Sequence, residues 1–203
     1  MTKPFDGLAH SYKQLWSDTE RGRAQRAAVW REIDRLFQPG DRVLDLGCGT
    51  GDDALHLAEL GVEVFGIDAA PKMVEVARNR GVKAETLAIE DLHTLRGAFT
   101  GAISNFGALN CVADIRFVAA HLARLLEPAG AVAICLMGRF CFTDWRHVAK
   151  RWLGRTSWRG LVIYYPTSRQ IRSTFAPWFE FERRVSIARG DHQLYIFRRR
   201  LEC

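Results

Sequence analysis

Long apolar runs are missing from this 203-residue chain. No stretch of roughly 18 uncharged apolar residues occurs, so no helical membrane span is expected. The opening residues, Met1-Thr2-Lys3-Pro4-Phe5-Asp6, contain no apolar segment, and a secretory signal is not expected. Cysteine is sparse and scattered: Cys48, Cys111, Cys135, Cys141 and Cys203 are odd in number and include no Cys-x-x-Cys pair. That argues against a zinc site and for reduced thiols in a cytoplasmic setting. There is no internal repeat, and no Gly-Lys-Ser/Thr follows a glycine loop, which excludes a triphosphate-binding loop.

What is present is a charge asymmetry and a patterned core. Residues 1–138 hold 15 Lys and Arg against 18 Asp and Glu, a net of −3, whereas residues 139–203 hold 14 against 5, a net of +9. A basic region attracts anions, whether an acidic small molecule, a lipid headgroup or nucleic acid. Apolar spacing predicts a helix over 12–37, stopped by Gln38-Pro39-Gly40-Asp41. Strands are predicted over 42–46, 62–67, 82–89, 102–106 and 131–137. Helices are predicted over 53–60, 71–79 and 116–126, the last closed by Glu127-Pro128-Ala129-Gly130. This α/β alternation predicts a mostly parallel sheet with helices on both faces. After an aromatic and basic stretch over 139–167, a helix over 168–175 precedes strands over 179–188 and 193–199, an antiparallel pair turning at Gly190-Asp191.

The sharpest motif is Val43-Leu44-Asp45-Leu46-Gly47-Cys48-Gly49-Thr50-Gly51, a strand running into a glycine loop, followed by a second strand that ends on Asp68. A Gly-x-Gly loop before a helix brings backbone close to a ligand. The dinucleotide fingerprint needs glycine at its sixth position, where this chain has Asp52. Asp45, Asp52 and Asp53 crowd the loop; carboxylates there repel a pyrophosphate and favour a ligand bearing ammonium or sulfonium charge. Asp68 offers two acceptor oxygens to the two hydroxyls of a ribose.

These residues resemble the class I S-adenosylmethionine-dependent methyltransferases of small-molecule type. Residues 43–51 look like the first motif of that family and Val64-Phe65-Gly66-Ile67-Asp68 like its second. Leu125-Leu126-Glu127-Pro128-Ala129-Gly130 is similar to its turn before the fifth strand. The resemblance implies a Rossmann-like three-layer sandwich whose seven-stranded, mostly parallel sheet ends in an antiparallel strand. It implies S-adenosylmethionine as cofactor and S-adenosylhomocysteine as product. Asp45, Gly47, Gly49 and Gly51 would line its methionine end, Asp68 would take the ribose hydroxyls, and Ile89, Glu90 and Asp91 would cover the adenine, with Met73 on the other adenine face and Cys48 and Ala69 as further cofactor contacts. Ala88 stands where many relatives carry an acid, leaving backbone groups, Glu90 or Asp91 for the adenine amino group. The fourth strand starts at Phe99-Thr100-Gly101, where relatives often have Phe-Asp.

Methyl transfer from a sulfonium needs positioning and water exclusion more than covalent help, so its catalytic residues are hard to read from sequence. Asn105, at the carboxyl end of the fourth strand, is placed near the cofactor and the transferring methyl; no proline follows it, so the Pro-Pro motif of amide and base N-methylation is absent. His10, Tyr12, Asn105 and His147 are the candidate catalytic residues. Tyr12, Trp16, Arg139, Trp145 and Tyr164 are the candidate acceptor contacts, the first two on an N-terminal lid that resembles that of many small-molecule methyltransferases. One domain is expected, with a lid over 1–38, a cofactor core over 39–138, an acceptor wall over 139–167 and a closing helix and hairpin over 168–203. The expected activity is methyl transfer to O, N or C of a small anionic or aromatic metabolite, by a monomer or homodimer. RNA or a lipid at a membrane surface is the alternative acceptor.

Overall fold

The computed structural model describes residues 5–9, 11–139, 151–187 and 190–201. Among these, seven strands form one sheet: β1 (Arg42–Leu46), β2 (Glu63–Asp68), β3 (Lys83–Thr86), β4 (Phe99–Ser104), β5 (Leu126–Met137), β8 (Phe179–Ile187) and β9 (His192–Arg199). Their order is β3-β2-β1-β4-β5-β9-β8. The first five are parallel and the last two antiparallel, as the sequence predicts. Strand order reverses between β1 and β4, and that reversal opens a crevice at their carboxyl ends.

Helices cover both faces. α1 (Glu20–Ile33), α2 (Asp52–Glu59) and α3 (Pro71–Asn79) pack on one side, where Val29, Ile33, Val43, Leu57, Val74 and Ile196 are buried together. α4 (Ile115–Leu125) and α5 (Ser168–Phe175) cover the other, around Leu44, Leu46, Leu122, Phe175 and Phe197. α5 carries the most local signature: Thr167 and Gln170 form a reciprocal capping box.

Several boundaries differ from the sequence reading. The single helix expected over 12–37 is two pieces, a π-helical turn at Lys13–Ser17 and then α1. Thr19 breaks them apart because its hydroxyl accepts from Gly22 N–H at 3.0 Å and caps α1. The third strand stops at Thr86, and Ile89–Thr94 coils into a 3-10 helix beside the crevice. β4 lies earlier than expected, leaving Asn105 and Phe106 in the loop after it. The turn expected at Glu127-Pro128-Ala129-Gly130 is a bulge inside β5: Leu126 pairs with Phe99 and Ala131 with Gly101.

The 139–167 stretch contains a separate hairpin, β6 (Arg155–Trp158) and β7 (Leu161–Tyr164). Its two turn residues, Arg159 and Gly160, both have positive φ, 48° and 83°. That is the geometry matching the twist of paired strands. The hairpin tip reaches the N-terminal segment, where the Trp158 and Phe5 ring centroids lie 5.4 Å apart.

Candidate cofactor site

The glycine loop leaves β1 on two hydrogen bonds, Gly47 N–H and Cys48 N–H both donating to Ile67 carbonyl at 2.8 and 3.0 Å. Gly47, Gly49 and Gly51 all have left-handed φ, 77°, 53° and 81°. Cys48 folds inward: a Cβ on Gly66 would stand 2.7 Å from its Sγ, so Gly66 makes room for the thiol between β1 and β2. Burial pushes the Cys48 thiol far up, with Asp45 and Asp68 adding to it, which makes it a packing group and leaves its backbone to the ligand.

Asp68 ends β2 beside this loop. Its carboxylate accepts from Gly49 N–H at 2.9 Å and from Ala70 N–H at 2.8 Å. It therefore holds the loop in shape while each oxygen keeps a further lone pair. Burial raises its pKa against the pull of those two N–H groups. Asp45 is 1% exposed, and its Oδ2 has no hydrogen-bond partner. Burial, then the charge of Asp53, pushes its carboxyl well above the usual range. A buried carboxylate oxygen without a donor is costly unless a ligand cation or N–H completes it.

The other loop acids are already neutralised. Asp53 Oδ1 accepts from Arg26 Nη1 at 2.8 Å and Trp30 Nε1 at 2.7 Å, and Asp53 Oδ2 from Asn105 Nδ2 at 3.2 Å. Asp52 is bonded by Arg80 at 2.7 Å and Ser17 at 2.8 Å, with Arg26 at 3.5 Å. Burial would raise Asp52, but Arg26, Arg80 and Ser17 outweigh it and hold the carboxyl low. The charge argument drawn from three loop carboxylates is thus corrected: the carboxyls left for a ligand are Asp45 and Asp68, while Asp52 and Asp53 belong to ion pairs. Arg26, which the sequence reading did not single out, also sits 4.3 Å from the centroid of Phe106.

Asn105 spends its amide on structure. Besides donating to Asp53, its Oδ1 accepts from Phe106 N–H at 2.8 Å, fixing Phe106 at φ 50°. Tyr12 is half-buried at the crevice, and burial raises its phenol despite the opposing charge of Arg26; Asp53, Asp68 and Asp52 also act on it. Met73 is buried in a small cluster with Ala9 and Ala70, against which Phe5 and Tyr12 pack. Ile89 is buried near Gly47, whereas Glu90 and Asp91 are exposed on the 3-10 turn and Ala69 is half-buried. Trp16 is 56% exposed. Arg139 donates to Tyr165 carbonyl at 2.9 Å and shares a second cavity with Tyr164. His10, Trp145 and His147, with the neighbouring Phe140, Phe142 and Arg146, lie outside the described residues.

His192 starts β9 beside Phe106, ring centroids 6.5 Å apart. Burial pushes it down to about 4, with Asp191 opposing and Arg151 and Arg21 adding to the drop. Unfolded, a histidine titrates near 6.5, so as pH falls the unfolded chain takes the proton first. Stability tied to His192 is complete above about pH 6.5 and is lost towards pH 4, by up to about 3 kcal/mol. Urea unfolding of the wild type and His192→Gln at pH 7.5 and 4.5 measures this. The variant is expected to lose less on acidification, and equal losses would refute the assignment.

Comparison with known proteins agrees with this geometry. Residues 43–130 match the family described as "Methyltransferase domain". The ubiquinone biosynthesis O-methyltransferase of Xanthomonas oryzae pv. oryzae is 34% identical over 111 residues, 52% of this chain and 46% of that protein. The chain thus spans about half the length of the curated relatives it matches. Among solved structures, a Haloferax volcanii methyltransferase complexed with its Trm112 activator superposes with TM-score 0.78 at 17% identity, covering 98% of this chain and 99% of that one. Burkholderia thailandensis 1,6-didemethyltoxoflavin-N1-methyltransferase, solved with S-adenosylhomocysteine, gives 0.69 at 21% identity over 97% and 85%. With that family match laid over β1 to β5 of a seven-stranded sheet in this order, the chain carries a methyltransferase domain and has the fold of the class I S-adenosylmethionine-dependent methyltransferases.

Proposed function

We propose that this chain transfers methyl from S-adenosylmethionine to an O, N or C atom of a small metabolite. The observation that carries the reading is the unpartnered, buried Asp45 oxygen beside Asp68, at a crevice where the neighbouring acids are already paired. When bound, S-adenosylmethionine supplies a methyl on a sulfonium that is ready to leave. Asp45 accepts hydrogen bonds from its positively charged methionine end. Asp68 accepts from the ribose hydroxyls while holding Gly49 in place. Ile89 offers an apolar edge to the adenine, and Tyr12 with Phe5 and Trp158 excludes water from above. The charged network at Asp53 and Asn105 sets the loop against which the acceptor rests. Positioning of this kind, in a site closed to water, accounts for large accelerations without a covalent intermediate.

Two of these proteins are named as an O-methyltransferase of ubiquinone biosynthesis and a 1,6-didemethyltoxoflavin-N1-methyltransferase, which favours a small acceptor. A macromolecular acceptor would use the basic last third, but part of that charge is engaged: Arg183 bonds Glu32 at 3.0 Å and Arg198 bonds Glu182 at 2.8 Å. The lid over 1–38, the acceptor wall over 139–167, the cytoplasmic setting and the monomeric or dimeric state complete this reading. None of the helices in the described residues is long and apolar enough to cross a membrane. Calorimetric titration tests the cofactor assignment. Asp68→Ala is expected to weaken S-adenosylmethionine binding by roughly 1–3 kcal/mol, the scale of a charged acceptor lost. Unchanged affinity would remove Asp68 from the site.

A further inference from the structure

Outside the cofactor crevice lies a second cavity of about 460 Å³, between the β6–β7 hairpin, the start of α4 and α5. Three arginines from three separate segments line it: Arg116 on α4, Arg139 after β5 and Arg155 on β6. The Nε of Arg139 donates to Tyr165 carbonyl. Among the described residues none of the three has a carboxylate partner. The acid on the wall, Asp114, is turned to its own helix and accepts from Arg116 N–H at 2.9 Å. Three arginines line this space against one carboxylate, Asp114, and the excess positive charge favours an anion. The floor is apolar, built by Leu109 and Val112, 1% and 3% exposed, with Tyr164 beside them. The volume is that of a small-molecule site.

We propose that this cavity binds a small molecule bearing a carboxylate or phosphate on an apolar body, the anion held by Arg116, Arg139 and Arg155. The floor is tied to the cofactor loop. Leu109 lies on a 3-10 turn, Ala108–Cys111, whose first residue packs so tightly on Gly47 that a Cβ there would stand 2.3 Å from Ala108 Cβ. Asn110, fully buried on the same turn, donates to the Tyr164 carbonyl at 2.6 Å and its Oδ1 accepts from Met137 N–H at 2.9 Å, joining the hairpin to the end of β5. Resting on the methyl-transfer reading, the ligand held here is the methyl acceptor, gripped by its anionic end.

The test is calorimetric titration of the full chain, without cofactor, using phenyl phosphate, benzoate and inorganic phosphate at low salt. Phenyl phosphate, benzoate or both are expected to bind, the tighter one naming the headgroup, and inorganic phosphate about tenfold or more weaker for want of an apolar body. Arg116→Gln and Arg155→Gln are each expected to weaken binding about tenfold, while Arg31→Gln, on the exposed side of α1, leaves it unchanged. Undiminished binding in the Arg116→Gln/Arg155→Gln double variant, no binding of either aromatic anion, or equal binding of inorganic phosphate overturns the proposal. A parallel titration with S-adenosylmethionine separates the two readings. Cofactor binding without anion binding sinks the cavity assignment alone; anion binding without cofactor binding sinks the methyl-transfer reading and the acceptor role with it, and leaves the anion site standing.

Discussion

Arg26→Met is expected to cost about 3–5 kcal/mol of folding stability, the scale of a buried ion pair broken on one side. The side chain is 11% exposed, and its Nη1 bonds Asp53 at 2.8 Å while its plane sits against Phe106. Methionine fills similar volume and supplies no charge, so the loss isolates the electrostatics. It strands Asp53 in the interior close to Asp45, a carboxylate already under strain from burial and from Asp53 itself. The remaining donors to Asp53, Trp30 and Asn105, are neutral and do not replace a guanidinium. Protonation of a stranded carboxyl relieves it, so the deficit should shrink between pH 7.5 and pH 5. Asp53→Asn combined with Arg26→Met should cost less than the sum of the single changes, because the second change removes the charge that the first left unpaired. Urea unfolding of the four proteins decides the matter. A deficit under about 1 kcal/mol, or strict additivity, would mean that the pair contributes as little as a surface one.

This network shows where the sequence stops being readable. Elements with local signals were legible: β1 from its apolar run and α3 from Pro71 at its first turn. Their boundaries depend on neighbouring residues alone. Arg26 and Asp53 stand on different helices, and nothing within either segment announces the partner. Charge counting therefore treated every loop carboxylate as available to a ligand, whereas two are spent on arginines. Asn105 follows β4, and its amide is divided between Asp53 and the Phe106 backbone, which no spacing rule reveals. The β6–β7 hairpin was legible in principle: Arg159-Gly160 between Thr156-Ser157-Trp158 and Leu161-Val162-Ile163-Tyr164 is a two-residue turn between β-forming runs. The density of aromatic and basic residues there suggested a ligand wall first and hid the strand pattern.

Gly49→Ala is expected to lower S-adenosylmethionine affinity at least about tenfold, roughly 1.4 kcal/mol, while leaving the fold standing. The three loop glycines look alike in sequence and differ in space. A Cβ on Gly47 would meet Ala108 Cβ at 2.3 Å, and one on Gly51 would meet Val82 Cγ2 at 2.7 Å. Both glycines are required by packing, and substitution there damages folding before it touches binding. A Cβ on Gly49 meets nothing within 4 Å. The space it would enter is open, and the Gly49 N–H bonds Asp68. Its φ of 53° lies in the left-handed well, where an alanine costs about 1–2 kcal/mol. The Gly49 N–H bond to Asp68 does not need the missing side chain and survives. Affinity and stability therefore separate at this residue. Calorimetry on Gly49→Ala and Gly49→Val, set beside their urea midpoints and that of Gly47→Ala, reads both quantities, with valine abolishing binding. Wild-type affinity in Gly49→Ala would move the ligand away from the loop. A collapse of stability equal to that of Gly47→Ala would instead make Gly49 a third packing glycine and leave Asp45 and Asp68 as the whole of the cofactor argument.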